Sequence, residues 1–211
     1  MNIYNVIILD ESGSMSSIYK ETLQSMNEVL SGIRKDQEGH PDQQHNVTIV
    51  TFEGNGIKGI KTRRDRVPVE KIENFTEKDY RPGGCTPLYD AMGQTLNRLE
   101  DLVTAEDKVM ATIITDGYEN ASEEYSGKTI KSLVARLREK GWVFAYIGAN
   151  QDAVEVAKDL NISNALNYDA TPEGMLQMRF SFSKAHRKMS DLVACCAENP
   201  MFDKLFDEDD K

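Results

Sequence analysis

The stretch Val6-Ile7-Ile8-Leu9-Asp10-Glu11-Ser12-Gly13-Ser14-Met15 decides how this chain is read. Its apolar run is too short for a helix, and it stops abruptly at a carboxylate. A continuous apolar run bounded by turn-forming residues reads as a strand buried on both faces, as in a parallel sheet. Asp10, Ser12 and Ser14 then stand at alternate positions on the loop leaving that strand. A carboxylate and two hydroxyls, with no sulfur or imidazole beside them, form an oxygen set suited to a hard cation such as Mg2+.

Outward from this stretch, apolar runs alternate with helical patterns. Ile3 to Leu9 is a strand. Tyr19, Leu23, Met26, Leu30 and Ile33 recur at helical spacing. Asn46 to Phe52 reads as a second strand. Asn55-Gly56 is a hairpin signal, so Ile57 to Thr62 is expected to return antiparallel, as an edge strand carrying lysines. Residues 63 to 82, with Pro68 and Pro82, read as irregular surface. Thr86 is expected to N-cap a helix opened by Pro87, with Leu88, Met92, Leu96, Leu99 and Val103 on its apolar face. Val109 to Thr115 is a central strand. Ile130, Leu133, Val134 and Leu137 mark a helix closed by Gly141. Trp142 to Ile147 is a strand, Val154, Ala157 and Leu160 a short helix, and Asn164 to Tyr168 a last strand. Thr171-Pro172-Glu173 starts a final helix carrying Met175, Met178, Phe182, Ala185, Met189 and Leu192.

This alternation predicts an α/β fold: a Rossmann-like three-layer sandwich with a mostly parallel central sheet, one antiparallel edge strand and helices on both faces. One domain is expected over 1–193, with its core at 1–168, a C-terminal helix over about 172–193, and an acidic tail at 194–211. Two more oxygen side chains fall at the same end of the sheet. Thr86 lies in Gly83-Gly84-Cys85-Thr86-Pro87, and Asp116 follows the run Val109 to Thr115. In an open α/β sheet the outgoing strand ends converge on one crevice.

The three segments Asp10-Glu11-Ser12-Gly13-Ser14-Met15, Gly83-Gly84-Cys85-Thr86-Pro87-Leu88-Tyr89-Asp90-Ala91 and Thr115-Asp116-Gly117 together resemble the metal-ion-dependent adhesion site of von Willebrand factor type A domains. The resemblance implies a metal held by Asp10, Ser12, Ser14, Thr86 and Asp116. Ser12 and Ser14 would bind directly, Asp10 directly or through water, and one of Thr86 and Asp116 directly with the other through water. The implied ion is Mg2+, with Mn2+ or Ca2+ as alternatives. Neutral hydroxyls leave such an ion electron-poor, so it seeks an anionic oxygen. In the family that oxygen comes from an acidic side chain of a partner protein. The implied protein is a stand-alone bacterial intracellular module and not an enzyme. By analogy its partner belongs to an ATPase machine or to a stress or phosphorylation system. The helix from Thr171 would be the lever of any conformational switch.

Composition sets limits on these expectations. The chain has 211 residues, 25 basic and 35 acidic, for a formal net charge of −10. Such a balance argues against nucleic acid and against an anionic membrane surface. No apolar run approaches the roughly 20 residues of a membrane span, no signal segment precedes Ile3, and the expected location is cytoplasmic. The three cysteines, two of them the adjacent Cys195-Cys196, make no disulfide framework. Cys85 and Cys195-Cys196 read as packing residues. His40, His45 and His186 lack metal-ligand spacing. Taken singly, Asp10 with Ser12 could be only a turn, Thr86 only a helix cap, and Asp116-Gly117 only a strand-ending bend. Glu11 is expected to point away from the donors, while Asp90 and Asn120 either support them or lie on the surface. The rival activity is a Mg2+-dependent phosphohydrolase on a similar sheet. That reading needs a second Asp where Ser12 stands, and neither serine has a His base nearby. Ser126-Gly127-Lys128-Thr129 lacks the upstream glycine of a phosphate loop. A structural scaffold with an incidental metal is the third reading.

Overall fold

In the computed structural model residues 1–149, 152–195 and 204–206 are described. Six strands form one sheet: β1 (Asn2–Asp10), β2 (Gln44–Phe52), β3 (Ile60–Pro68), β4 (Lys108–Thr115), β5 (Val143–Ala149) and β6 (Asn164–Tyr168). Their spatial order is β3-β2-β1-β4-β5-β6. All neighbours run parallel except β2 and β3, which are antiparallel. Among the described residues five α-helices accompany the sheet: α1 (Tyr19–Gly39), α2 (Leu88–Glu100), α3 (Gly127–Glu139), α4 (Ala153–Asp159) and α5 (Pro172–Ala194).

Side-chain alternation divides the interior into two cores. Ile7 and Leu9 of β1 pack with Leu30 and Ile33 of α1 and with Met178 and Phe182 of α5. Val6 and Ile8 face the other way, toward Leu96 of α2, Leu133 of α3 and Ala157 of α4. Strands covered on both faces need apolar residues at every position, which is why β1, β4 and β5 appear in the sequence as unbroken runs. The Met175, Met178 and Met189 stripe is core. Gly141 takes φ +85°, and the amide of Trp142 returns to the carbonyl of Leu137, closing α3 as a glycine cap does. Thr171 caps α5, accepting from the Gly174 amide at 3.1 Å.

β1 sits between β2 and β4, with α1 leaving to one face and α2 arriving on the other. Ligand crevices of open sheets form at such a reversal. Asp10 and Thr115 end β1 and β4 there.

Several expectations need correction. The antiparallel return begins later and runs longer than Ile57 to Thr62. Residues Gly56–Gly59 form a turn of 3-10 helix, and Arg63 to Pro68, expected to be irregular, are strand. Asn55 has an extended φ of −121°, whereas a type I′ hairpin would need it positive. An edge strand pairs on one side only, so β3 needs no apolar run and its arginines hid it. Cys85 and Cys195 are exposed, not packed, and Cys196 lies outside the described residues. Most of the expected 194–211 tail lies outside them too, although Leu205 and Phe206 are buried in the core beside α5. Among the described residues no helix is long and apolar enough to cross a membrane.

Candidate metal centre

The structure brings all five predicted oxygen residues to one end of the sheet. The Ser14 hydroxyl donates to Asp116 Oδ1 at 2.5 Å, and Ser12 Oγ lies 3.2 Å from Ser14 Oγ. Asp10 is fully buried beneath them. Its Oδ1 accepts the Ser12 amide at 2.7 Å, and its Oδ2 accepts the Thr115 hydroxyl at 2.6 Å. Thr86 arrives from a third segment. A methyl group added to Gly117 would sit 3.6 Å from Thr86 Oγ1 and 3.8 Å from Ser14 Oγ, so both hydroxyls face the same point. Gly117 thus leaves open the space in which they meet.

Thr86 is not the helix cap its sequence suggests. α2 starts at Leu88, and its first amides are capped from outside: Tyr89 N–H donates to Glu119 Oε2 at 2.9 Å and Asp90 N–H to Ser122 Oγ at 3.0 Å. Side chains from the 117–122 loop thereby release the Thr86 hydroxyl, which makes no hydrogen bond among the described residues. The Thr86 backbone is held by Asn120, whose Oδ1 accepts the Thr86 amide at 2.9 Å and whose own amide donates to the Thr86 carbonyl at 3.2 Å.

Asp90 is neither a surface residue nor a direct support of the donors. It is fully buried and accepts the amides of Glu123, Glu124 and Tyr125 at 2.8, 3.0 and 2.8 Å, fixing the far end of the loop that carries Asn120. Glu11 does point away from the donors. Its carboxylate pairs with the Arg63 guanidinium at 2.8 and 3.1 Å and accepts the Arg81 amide. Amide-to-carbonyl bonds from Gly13 to Gly84 and from Gly83 to Glu11 zip the first donor loop to the loop of Thr86. Tyr80, buried below, donates to the Asp10 carbonyl at 2.9 Å. The Glu119, Asn120 and Ser122 contacts had one local signal: a cluster of polar residues immediately after a strand end.

Burial pushes the Asp10 carboxyl up to about 6, against the opposing effect of its hydrogen bonds to Thr115 and Ser12, with Asp116 adding repulsion. Burial also raises Asp116. Among the described residues no Lys, Arg or His offsets either carboxylate, and no group of three His, Cys, Asp or Glu side chains gathers as metal donors. Any ion here would be held largely by hydroxyl oxygens, with two carboxylates to balance a divalent charge. That donor set fits Mg2+ or Mn2+, which take oxygen, and suits soft thiophilic ions poorly.

The family model described as von Willebrand factor type A domain matches residues 6–177. The chain belongs to this family. No curated protein matches it. Among solved structures it is similar to the pilus adhesin SpaC from Lactobacillus rhamnosus GG, with a TM-score of 0.67 at 13% identity over 89% of this chain and 30% of the adhesin. It is also similar to proximal thread matrix protein 1 from the mussel byssus with a zinc-occupied adhesion motif. That match has a TM-score of 0.59 at 16% identity, over 88% of this chain and 46% of the matrix protein. A von Willebrand factor type A protein from Catenulispora acidiphila matches with a TM-score of 0.52 at 13% identity, over 90% of this chain and 42% of that one. The chain thus spans less than half the length of these neighbours, and at such identities the likeness shows the shared von Willebrand factor type A fold.

Proposed function

We propose that this von Willebrand factor type A domain is a divalent-metal-dependent protein-binding module. Ser12, Ser14 and Thr86 offer hydroxyl oxygens to a Mg2+ ion, and Asp10 and Asp116 orient the donors and balance its charge. The ion, when bound, supplies a Lewis-acidic point for a carboxylate of a partner protein. The observation that carries this reading is the convergence of Ser12, Ser14, Thr86 and Asp116 beside Gly117, from three segments distant in sequence. Independent turns would have no reason to aim hydroxyls at one point.

This chain's own groups prepare the site. Asp10 uses both oxygens to fix the first loop, through the Ser12 amide and the Thr115 hydroxyl. Ser14 and Gly117 are at least partly open to solvent, so a partner can approach. A hydrolytic role finds little support. Position 12, where a phosphohydrolase would carry its second Asp, offers only a hydroxyl. We place the module in the cytoplasm, with a partner from an ATPase machine or a stress or phosphorylation system. That placement rests on the family resemblance and, for the compartment, on three cysteines that make no disulfide framework.

Calorimetric titration of Mg2+ into the wild type and Asp116→Ala tests the site, and capture of partners from native lysate with Mg2+ or with chelator tests the role. Binding lost in the variant, and capture lost with chelator while the fold persists, are expected. Capture indifferent to both would refute the proposal, and turnover of phosphate esters at this site would restore the enzyme reading.

A further inference from the structure

Directly beside the donor loop, a cavity of about 480 Å3 opens between the start of α2, the loop after β4, and α4. The rings of Tyr89 and Tyr118 and three carboxylates (Glu119, Glu155 and Asp159) line it, over a floor of the buried Leu88, Tyr146 and Leu160. No Lys, Arg or His is among the lining residues. The Glu119 carboxylate is fixed by the Tyr89, Ala121 and Ser122 amides. Glu155 and Asp159 project from successive turns of α4, and neither forms an ion pair among the described residues. Tyr118 is 60% exposed, a large apolar surface left at the rim. The field inside is negative: after burial, Glu119 and Asp159 are what raise the Tyr89 phenol.

We propose that this groove seats an arginine side chain of the same partner whose carboxylate reaches the metal. The proposal rests on the metal-dependent adhesion reading above and adds a second point of recognition to it. A planar guanidinium stacks on aromatic rings and pairs with carboxylates, and it is more weakly hydrated than an ammonium. A cavity walled by tyrosines and acids, with no cation of its own, complements that group in shape and sign. Position adds a geometric condition. Tyr118 follows Asp116 by two residues, and two residues of chain reach at most about 7 Å. A cation and a carboxylate a few residues apart on one extended segment of a partner can therefore reach both points. Two-point binding selects a charge pattern in the partner, whereas a lone metal–carboxylate contact would accept any exposed acid.

The groove is tested first without a metal. N-acetyl-arginine amide, titrated into the 15N-labelled full chain, is expected to shift the amides of Tyr118, Val156 and Leu160 saturably. Those shifts should persist in Asp116→Ala and vanish in the double variant Glu155→Gln/Asp159→Asn, both of whose changed positions are exposed on α4. N-acetyl-norleucine amide should leave the same amides in place. The coupling is tested with capped glycine-rich peptides carrying one Asp and one Arg two or three positions away, in Mg2+. Replacing Arg by norleucine should weaken binding roughly tenfold, and the double variant should show the same loss. Both effects should shrink in high salt. Arginine shifts spread over the surface, or unchanged in the double variant, would overturn the groove assignment. So would metal-dependent peptide binding indifferent to the norleucine replacement, and that result would leave the adhesion reading standing. Peptide binding indifferent to Mg2+ and to Asp116→Ala would overturn the adhesion reading and the two-point coupling with it.

Discussion

Asn120→Ala separates the support of the candidate metal centre from the centre itself. Asn120 is not a proposed donor to the ion. It holds Thr86 by accepting the Thr86 amide at 2.9 Å, while its own backbone amide, kept in the variant, donates to the Thr86 carbonyl at 3.2 Å. Alanine removes only the first of these bonds. A single neutral hydrogen bond between partly buried groups contributes about 0.5–1.5 kcal/mol. If placing Thr86 matters to the ion, that same energy is the most the variant can subtract from binding. At about 1.4 kcal/mol per decade, Mg2+ affinity should fall by no more than roughly tenfold. The assay pairs calorimetric Mg2+ titration with urea unfolding in chelator, so that affinity and stability are read separately. Thr86→Ala, which deletes the proposed donor, should lose more affinity while leaving the Asn120 clamp on the backbone intact. Unchanged affinity in Asn120→Ala together with a measurable loss of stability would refute the support role of the Asn120 side chain, and unchanged affinity in Thr86→Ala would show that Thr86 does not serve the ion.

Three further expectations follow from buried groups elsewhere. Asp90→Ala removes the acceptor of the Glu123, Glu124 and Tyr125 amides; at about 0.5–1.5 kcal/mol for each part-buried bond, it should cost roughly 3 kcal/mol and lower the calorimetric Tm by about 6–12 °C. Gly93→Ala would put a methyl carbon 2.4 Å from the Tyr125 ring where α2 meets α3; displacing a packed ring should cost about 1–3 kcal/mol in urea unfolding, and an unchanged midpoint would mean that the ring is free to move. His45 is buried, accepts the Asn5 side-chain amide at 3.4 Å and contacts Gln43 Oε1 at 3.2 Å, an arrangement that suits the neutral ring. Burial lowers its pKa to about 4, so the unfolded chain takes up the proton first as pH falls. Stability held above about pH 6.5 should be lost down to about pH 4, by about 3 kcal/mol. Asp10 and Asp36, both raised to about 6 by burial, oppose this trend. The test is therefore the difference between wild type and His45→Gln across that range, and a flat difference would contradict the assignment.

What the sequence discloses and what it hides divide along a physical line. β1, β4 and β5 are legible because a strand covered on both faces must be apolar at every position. The five oxygen side chains that meet at one end of the sheet are legible because short loops at element ends fix their spacing locally. β3 was legible only at its start, since an edge strand with arginines at 63, 64 and 66 carries no burial pattern. Thr86 is the instructive miss. A Thr before a Pro at a helix start is locally a cap, and only the remote Glu119 and Ser122, by taking the amides of Tyr89 and Asp90, free it for other work. Asp90 and Asn120 act through partners some 33 and 34 residues away. The polar cluster after β4 is the one local hint of the Asn120 contact, and nothing beside Asp90 reveals its partners.

Charge pairing around the site supports the same division of labour. Glu11 lies between the first two donor positions, is as buried as Asp10, and has the Arg63 guanidinium at 2.8 Å. Asp79, which closes the Thr76 turn on the way to Tyr80, has Arg64 at 2.8 Å. Glu11 and Asp79, whose work is structural, thus receive cations, while the structural Asp90 is held by three backbone amides instead. Asp10 and Asp116 receive none, although the same strand β3 passes close enough to reach Glu11. Buried carboxylates without a counter-charge are costly, and hydrogen bonds from Ser12, Ser14 and Thr115 offset only part of that cost, since both carboxyls stay raised. The chain pairs Glu11 and leaves its neighbour Asp10 without a cation, and under the proposed function a divalent ion would supply that charge, where a lysine would fill space that a partner's carboxylate is proposed to enter.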